Sequence, residues 1–220
     1  QSVPLQVDCR CNLPRQVSLI TMIFTIGHSN HSLTNFLSLL ALHEITALVD
    51  VRSNPASSYT PHFSRTELEP NLTEGGISYV FLGNQLGGRT TNPGCYVKGR
   101  LQYAMLAREP AFESGIVRLK VGANQFRLAL MCSEKDPLRC HRSLLVARRL
   151  HQDNIHVDHI LASGKLESHR ELENRLLALC GLSEIDMFRS RQEGIDDAYK
   201  IQGGRVAYAD ETMLDEHEHS

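Results

Sequence analysis

Hydrophobic and polar positions along this chain switch repeatedly between a period of two and a period near 3.6, which predicts a repeated strand–turn–helix unit. Met22 to Ile26 is a short β-branched and aromatic run that ends at Gly27. After His28, Ser29 and Asn30 come Leu33, Phe36, Leu37 and Leu40 at helical spacing. Thr46 to Val51 is a second buried run, and Pro55 with its Ser-rich neighbours demands a loop after it. Ser64 with Glu67 reads as a capping box, predicting a helix from about Arg65 to Glu74 that Gly75-Gly76 stops and Pro70 kinks or shortens. Ile77 to Leu82 alternates as a third strand and feeds a Gly-rich turn, Gln85 to Arg89. Thr90 to Gly99 has no period and predicts a surface loop, and Arg100 to Arg108 and Ala111 to Val121 read as two helices separated by Pro110.

The stretch from Phe126 to Leu150 organises the rest. Leu128, Ala129, Leu130 and Met131 predict a buried strand; Asp136 as N-cap, Pro137 at the first helical position and apolar Cys140, Leu144 and Ala147 predict a helix. Cys132 then ends a strand, and Cys140, His141 and Arg142 fall in the first turns of a helix, where free N–H groups and the helix dipole favour an anion or a thiolate. Ile155 to Leu161 reads as a fifth strand holding His156 and His159, and Ser168 with Glu171 caps a last helix whose buried side is Leu172, Leu176 and Leu179. Strands alternating with helices give an α/β fold: a single domain with a mainly parallel sheet of about five strands, flanked by helices in a Rossmann-like three-layer arrangement.

Composition narrows the picture at both ends. The 220 residues suit one α/β domain, expected over residues 22–182. Residues 1–21 precede the first good strand and are expected to be a peripheral extension. From Ser183 the apolar period is lost, and 10 acidic against 4 basic residues predict an acidic, mobile tail with at most a short peripheral helix. The body before it then carries 19 basic against 15 acidic residues, enough to accept an anion but without the dense basic face of a dedicated nucleic-acid binder. No apolar run approaches the roughly 20 residues that span a bilayer, and the first residues lack a signal-peptide pattern. The expectation is a cytoplasmic protein without membrane association, its six cysteines reduced.

In an open parallel sheet, ligands bind beyond the carboxyl ends of the strands, at a switch in strand order. That rule gathers His28 and Ser29 from strand one, Asp50, Arg52 and Ser53 from strand two, and Gly87, Gly88 and Arg89 from strand three. Cys132 and Glu134 come from strand four, and Cys140, His141 and Arg142 from the next helix. Thr25-Ile26-Gly27-His28-Ser29, Asp50-Val51-Arg52, Leu86-Gly87-Gly88 and Cys132-Ser133-Glu134 with Cys140-His141-Arg142 resemble the ordered motifs of the domain-of-unknown-function family 488. The resemblance covers about Met22 to Leu179 and implies a compact α/β fold; it brings no settled activity.

The leading expectation is an enzyme acting on a small anionic or nucleotide-like substrate at this rim. His28, Asp50, Cys132, Glu134, Cys140 and His141 are its catalytic candidates. Ser29, Arg52, Ser53, Gly88, Arg89 and Arg142 are its substrate-binding candidates, the arginines holding an anion in a bidentate manner. Cys140 is the favoured thiolate because of its early helix position and cationic neighbour. His28 is better placed as a base than His141, because adjacent helical residues point about 100° apart. The nine residues between Cys132 and Arg142, with Glu134 and Asp136 among them, differ from a cysteine-phosphatase loop. One alternative is a nucleic-acid or nucleotide-binding module without catalysis, with Tyr59 and Phe63 stacking on bases rather than packing the loop. Another is a zinc site formed by Cys132, Cys140 and His141. Neither a dinucleotide fingerprint nor a P-loop is present, so NAD and ATP are not implied and no cofactor is assigned.

Overall fold

The computed structural model describes residues 21–184 and 189–210. Most of the expected N-terminal extension lies outside those residues. The elements run β1 (Met22–Gly27), α1 (Leu33–Leu42), β2 (Ala47–Asp50), α2 (Arg65–Glu74), β3 (Ser78–Phe81) and α3 (Gly83–Leu86). A small hairpin, β4 (Tyr96–Val97) and β5 (Arg100–Leu101), precedes α4 (Tyr103–Leu106) and α5 (Pro110–Ala123). Then come β6 (Leu128–Cys132), a π-helical segment Arg142–Ala147 that continues as α6 (Arg148–Gln152), β7 (His156–Ile160), β8 (Leu166–Ser168), α7 (His169–Leu179) and α8 (Arg191–Val206).

Six strands form one sheet in the order β3-β2-β6-β1-β7-β8. The five expected strands are parallel, and β8 adds an antiparallel edge against β7. Period-two alternation sends Phe24, Ile26, Leu48, Ala129 and Met131 to one face, under α1 and α2. Ile23, Val49, Leu128, Leu130 and Cys132 go to the other, under α3, α5 and the segment from Arg142 to Leu150. The result is the three-layer α/β arrangement expected. From β1 the chain moves towards β2 and β3, whereas from β6 it crosses β1 to reach β7, so strand order switches at the β6–β1 pair. Gly27 and Cys132 face each other in register at its carboxyl end.

Several local expectations change. Ser64 does cap α2, but its hydroxyl is turned to the backbone of Ser57 instead of forming the box with Glu67. The helix expected from Arg100 to Arg108 is a strand pair followed by the single turn α4, because Arg100 and Leu101 pair with the incoming chain at Tyr208 and Ala209. The tail needs the larger correction. Ser190 and Glu193 close a capping box, and α8 lays Ile195, Ala198 and Tyr199 against Leu138, Leu144, Leu172 and Leu176. Its apolar positions are sparse and separated by Gly and charge, which hid the period. Residues 211–220 lie outside the described part.

Candidate functional site

The alternation that builds two cores also divides the predicted rim. Asp50 shares a face with Leu48, so its carboxylate turns towards α2, away from Cys132. There it accepts from the Arg52 backbone N–H, from Arg52 Nε at 2.9 Å and Nη2 at 2.6 Å, and from the Tyr79 hydroxyl at 2.7 Å. Arg52 Nη2 also donates to the carbonyls of Pro55 and Phe63, and Nη1 lies 3.3 Å from His28 Nε2. His28 completes the knot by pairing Nδ1 with the Ser29 carbonyl and stacking on Phe63 at 4.4 Å between centroids. Burial first, and then the Arg52 charge, lower its pKa to about 4 despite that carbonyl bond, so the ring is neutral at pH 7 and Nε2 accepts from Arg52. His28, Asp50 and Arg52 are thus joined to one another, and of the three only Arg52 reaches the neighbouring cleft.

A second cluster forms on the opposite face. Asp136 accepts from the Leu138 N–H and closes a 3₁₀ turn over Pro137–Arg139. This turn ends at Cys140, which is extended (φ −136°, ψ 138°) and whose carbonyl receives the Ser143 and Leu144 amides. Cys140 therefore sits at the mouth of the following helix instead of inside its first turn, because Asp136 caps the short turn and not that helix. From here Cys132 Sγ lies 3.6 Å and Cys140 Sγ 4.0 Å from His141 Nδ1. His141 Nε2 is 2.9 Å from the Val51 carbonyl, which can only accept. Nε2 therefore carries the proton of the neutral ring, and Nδ1 faces the sulfurs.

Two glycines permit this packing. A Cβ on Gly27 would collide with the Glu134 carbonyl oxygen, and one on Gly88 would stand 2.9 Å from His141 Cγ. Arg142 is fully buried beneath the loop, with Nη1 donating to the Glu134 carbonyl at 2.6 Å and Nη2 to that of Lys135. It braces the loop and does not border the cleft; no carboxylate pairs with it among the described residues. Its charge acts on the sulfurs. Burial opposes ionisation of Cys140, but a hydrogen bond from the Cys132 thiol, the Arg142 charge and His141 together hold it well below the ordinary thiol range. Cys132 is pushed well above that range, chiefly because it donates to Cys140 and also because it is buried. Burial opposes protonation of His141 as well, yet its bond to Cys140 raises it. The arrangement suits a thiolate–imidazolium pair with a second thiol beside it.

These sulfurs line an open cleft of about 430 Å³. Arg52, Ser53, Gly88, Arg89 and Glu134 also border it, whereas His28, Ser29, Asp50 and Arg142 do not. Sequence reasoning missed Arg139, Tyr103 and Tyr208. Arg139 belongs to the 3₁₀ turn that was expected to be helix, and Tyr208 reaches the cleft because Leu101 N–H binds its carbonyl and ties the chain after α8 to β5. The Arg89 guanidinium lies 4.2 Å over the Tyr208 ring. Both Arg89 and Arg139 are exposed and pair with no carboxylate among the described residues.

With this geometry in hand, similarity to known proteins adds a family. The sequence model of the family described as Domain of unknown function DUF488 matches residues 32–149. The chain belongs to that family. The DUF488 match takes in Asp50-Val51-Arg52, Leu86-Gly87-Gly88 and the whole loop from Cys132 to Arg142; Thr25 to Ser29 precede it, and the wider span the resemblance suggested, Met22 to Leu179, extends beyond it at both ends. No curated protein and no solved structure matches the chain.

Two further placements matter. Cys132 Sγ, Cys140 Sγ and His141 Nδ1 lie within 4.8 Å of one another, a compact set of soft and borderline donors. His159 is remote from it: Thr25 Oγ1, His159, His169 and the Tyr199 hydroxyl form a buried hydrogen-bonded chain linking β1 to α8. No helix among the described residues is long and apolar enough to cross a membrane.

Proposed function

We propose that this DUF488 chain is an enzyme that acts on a small anionic or nucleotide-like substrate, with Cys140 as its thiolate and the cleft over Cys132, Cys140 and His141 as its active site. One observation carries the reading: two sulfurs and an imidazole nitrogen converge in a cleft whose rim holds two guanidiniums without carboxylate partners among the described residues. Arg89 and Arg139 supply the charge that receives the anion. His141 Nδ1 takes or returns the proton at the sulfurs, its ring held by the Val51 carbonyl. Glu134, exposed on the same rim, is the acid–base candidate nearest solvent.

Alkylation by iodoacetamide across pH tests the thiolate. Cys140 is expected to react at pH values where an ordinary thiol is protonated, and Cys140→Ser to remove that fast phase while the fold persists. A rate that rises only through the ordinary thiol range of about 8–9 would refute it.

A second reading has its own support. Histidines that bind metals donate their other ring N–H to a carbonyl or carboxylate, and His141 does so to Val51. Cys132, Cys140 and His141 would then hold a zinc ion with one position open to the cleft, and the ion would supply an activated water or a Lewis acid. Near-stoichiometric zinc in protein purified under reducing conditions, lost in both Cys132→Ser and Cys140→Ser, would establish this form. Metal-free protein with the fast alkylation phase intact would exclude it.

A further inference from the structure

Beside the cleft lies a second hollow of about 500 Å³, and the two share Ser53, Arg89 and Tyr208 along a common wall. Their remaining walls differ in chemistry. The first hollow adds Arg139 and the Asp50-paired Arg52 to Arg89, against the single carboxylate of Glu134, close to the sulfurs. Among the described residues the second has no cation beyond Arg89; it presents Asn84, Thr91 and the carboxylates of Glu109 and Asp210 over the apolar floor of Leu106 and Phe112. An anion is favoured in the first and repelled from the second. A neutral body with hydroxyl groups suits the second, where Asn84 and Thr91 offer an amide and a hydroxyl that no side chain among the described residues binds. Arg89, stacked on Tyr208 at 4.2 Å, is held at the point where the two halves of such a ligand would join. Inorganic phosphate alone would leave most of this space to water, whereas the volumes suit a ligand of nucleotide size.

We propose that the two hollows form one site for a phosphate monoester of a hydroxyl-bearing body, a sugar phosphate or nucleoside monophosphate. Its phosphate lies between Arg89 and Arg139 beside Cys140, and its body passes over Tyr208 to Asn84 and Thr91. This assignment rests on the anion-binding reading of the cleft and names the substrate class for it.

Calorimetric titration of the full chain with inorganic phosphate, ribose 5-phosphate and adenosine monophosphate tests it. At least one ester is expected to bind about tenfold or more tightly than inorganic phosphate, as two or three added hydrogen bonds allow. Preference for the nucleotide over ribose 5-phosphate would place a base in the second hollow; equal affinity would make the sugar the recognised part. Asn84→Ala/Thr91→Ala, at two exposed positions that should leave the fold intact, is expected to erase the ester's advantage and leave inorganic phosphate unchanged. Arg139→Ala should weaken all three ligands by a similar factor. If inorganic phosphate binds through Arg139 and neither ester binds better, or if the double variant keeps the ester's advantage, the two-hollow site is wrong and the anion reading stands. If none of the three binds, the anion reading itself falls and this inference with it.

Discussion

Two buried polar knots flank the carboxyl end of β2, one on each face of the sheet, and they differ in what remains unpaired. In the first, Asp50 accepts from three groups of Arg52 and from Tyr79, and the guanidinium is completed by two carbonyls and His28. In the second, His141 is fixed by Val51, but the sulfurs of Cys132 and Cys140 converge on His141 Nδ1 without a further side-chain partner among the described residues, and they open into a cleft. A saturated network holds a fold together; an unsaturated one at a cavity floor is where a ligand or a reaction can enter. The same motif residues thus divide into a brace and a site.

The brace should fail most heavily when its charge balance is broken. Asp50→Asn leaves Arg52 buried with no counter-charge, and loss of one partner from a buried pair costs about 3–5 kcal/mol. Urea unfolding of the variant should show a fall of that size, while the alkylation rate of Cys140 in the folded fraction stays within about twofold, since the knots lie on opposite faces. A loss of thiol reactivity as large as the loss of stability would mean that the two knots are one network.

Acid should break the brace next. His28 titrates near pH 4 in the folded chain and near 6.5 when unfolded, so the unfolded state binds the extra proton first. The stability due to neutral His28 is complete above about pH 6.5, declines between 6.5 and 4 and is gone below 4, a loss of about 3 kcal/mol. His169, held near pH 3, and His159, also lowered by burial, act in the same direction. Stability measured from pH 7 to 4 should decline, and His28→Asn should flatten the slope by about one proton; an unchanged slope would assign the acid sensitivity to the other histidines.

Much of this was legible in the sequence, and the failures have particular causes. The five parallel strands, the stop at Gly75-Gly76 and the capping box at Ser168 follow from periodicity and local turn chemistry, which act within a few residues. Which rim residues meet does not. Asp50 and Cys132 both end buried strands, yet a one-residue difference in phase sends them to opposite faces. Tyr208 was invisible because its place depends on pairing with Leu101 across more than a hundred residues, and Arg139 because a cap at Asp136 closes a short turn as readily as it opens a long helix.

A smaller effect links the sheet to the site. Gly27→Ala would place a methyl group against the Glu134 carbonyl, and relief by backbone shift typically costs about 1–3 kcal/mol. Because that carbonyl is also the Arg142 Nη1 acceptor at 2.6 Å, the strain falls on the loop that positions Cys140. Its alkylation should slow by more than the stability loss alone explains. Unchanged kinetics in a destabilised variant would uncouple Arg142 from the thiolate.

The smallest change in stability should give the sharpest reading of the second knot. Cys132→Ser and Cys132→Ala each alter one small buried side chain, and both are expected to stay within about 1–2 kcal/mol of the parent. They differ in what reaches Cys140. A serine hydroxyl can still donate to the thiolate, whereas alanine removes the donor and leaves Arg142 and His141 to hold the charge against burial. The pH midpoint of Cys140 alkylation should therefore rise towards the ordinary thiol range in Cys132→Ala and move less in Cys132→Ser. Equal midpoints in both variants and the parent would show that Cys132 contributes nothing to the thiolate, and would turn attention to its capacity as a metal ligand, where serine and alanine fail alike.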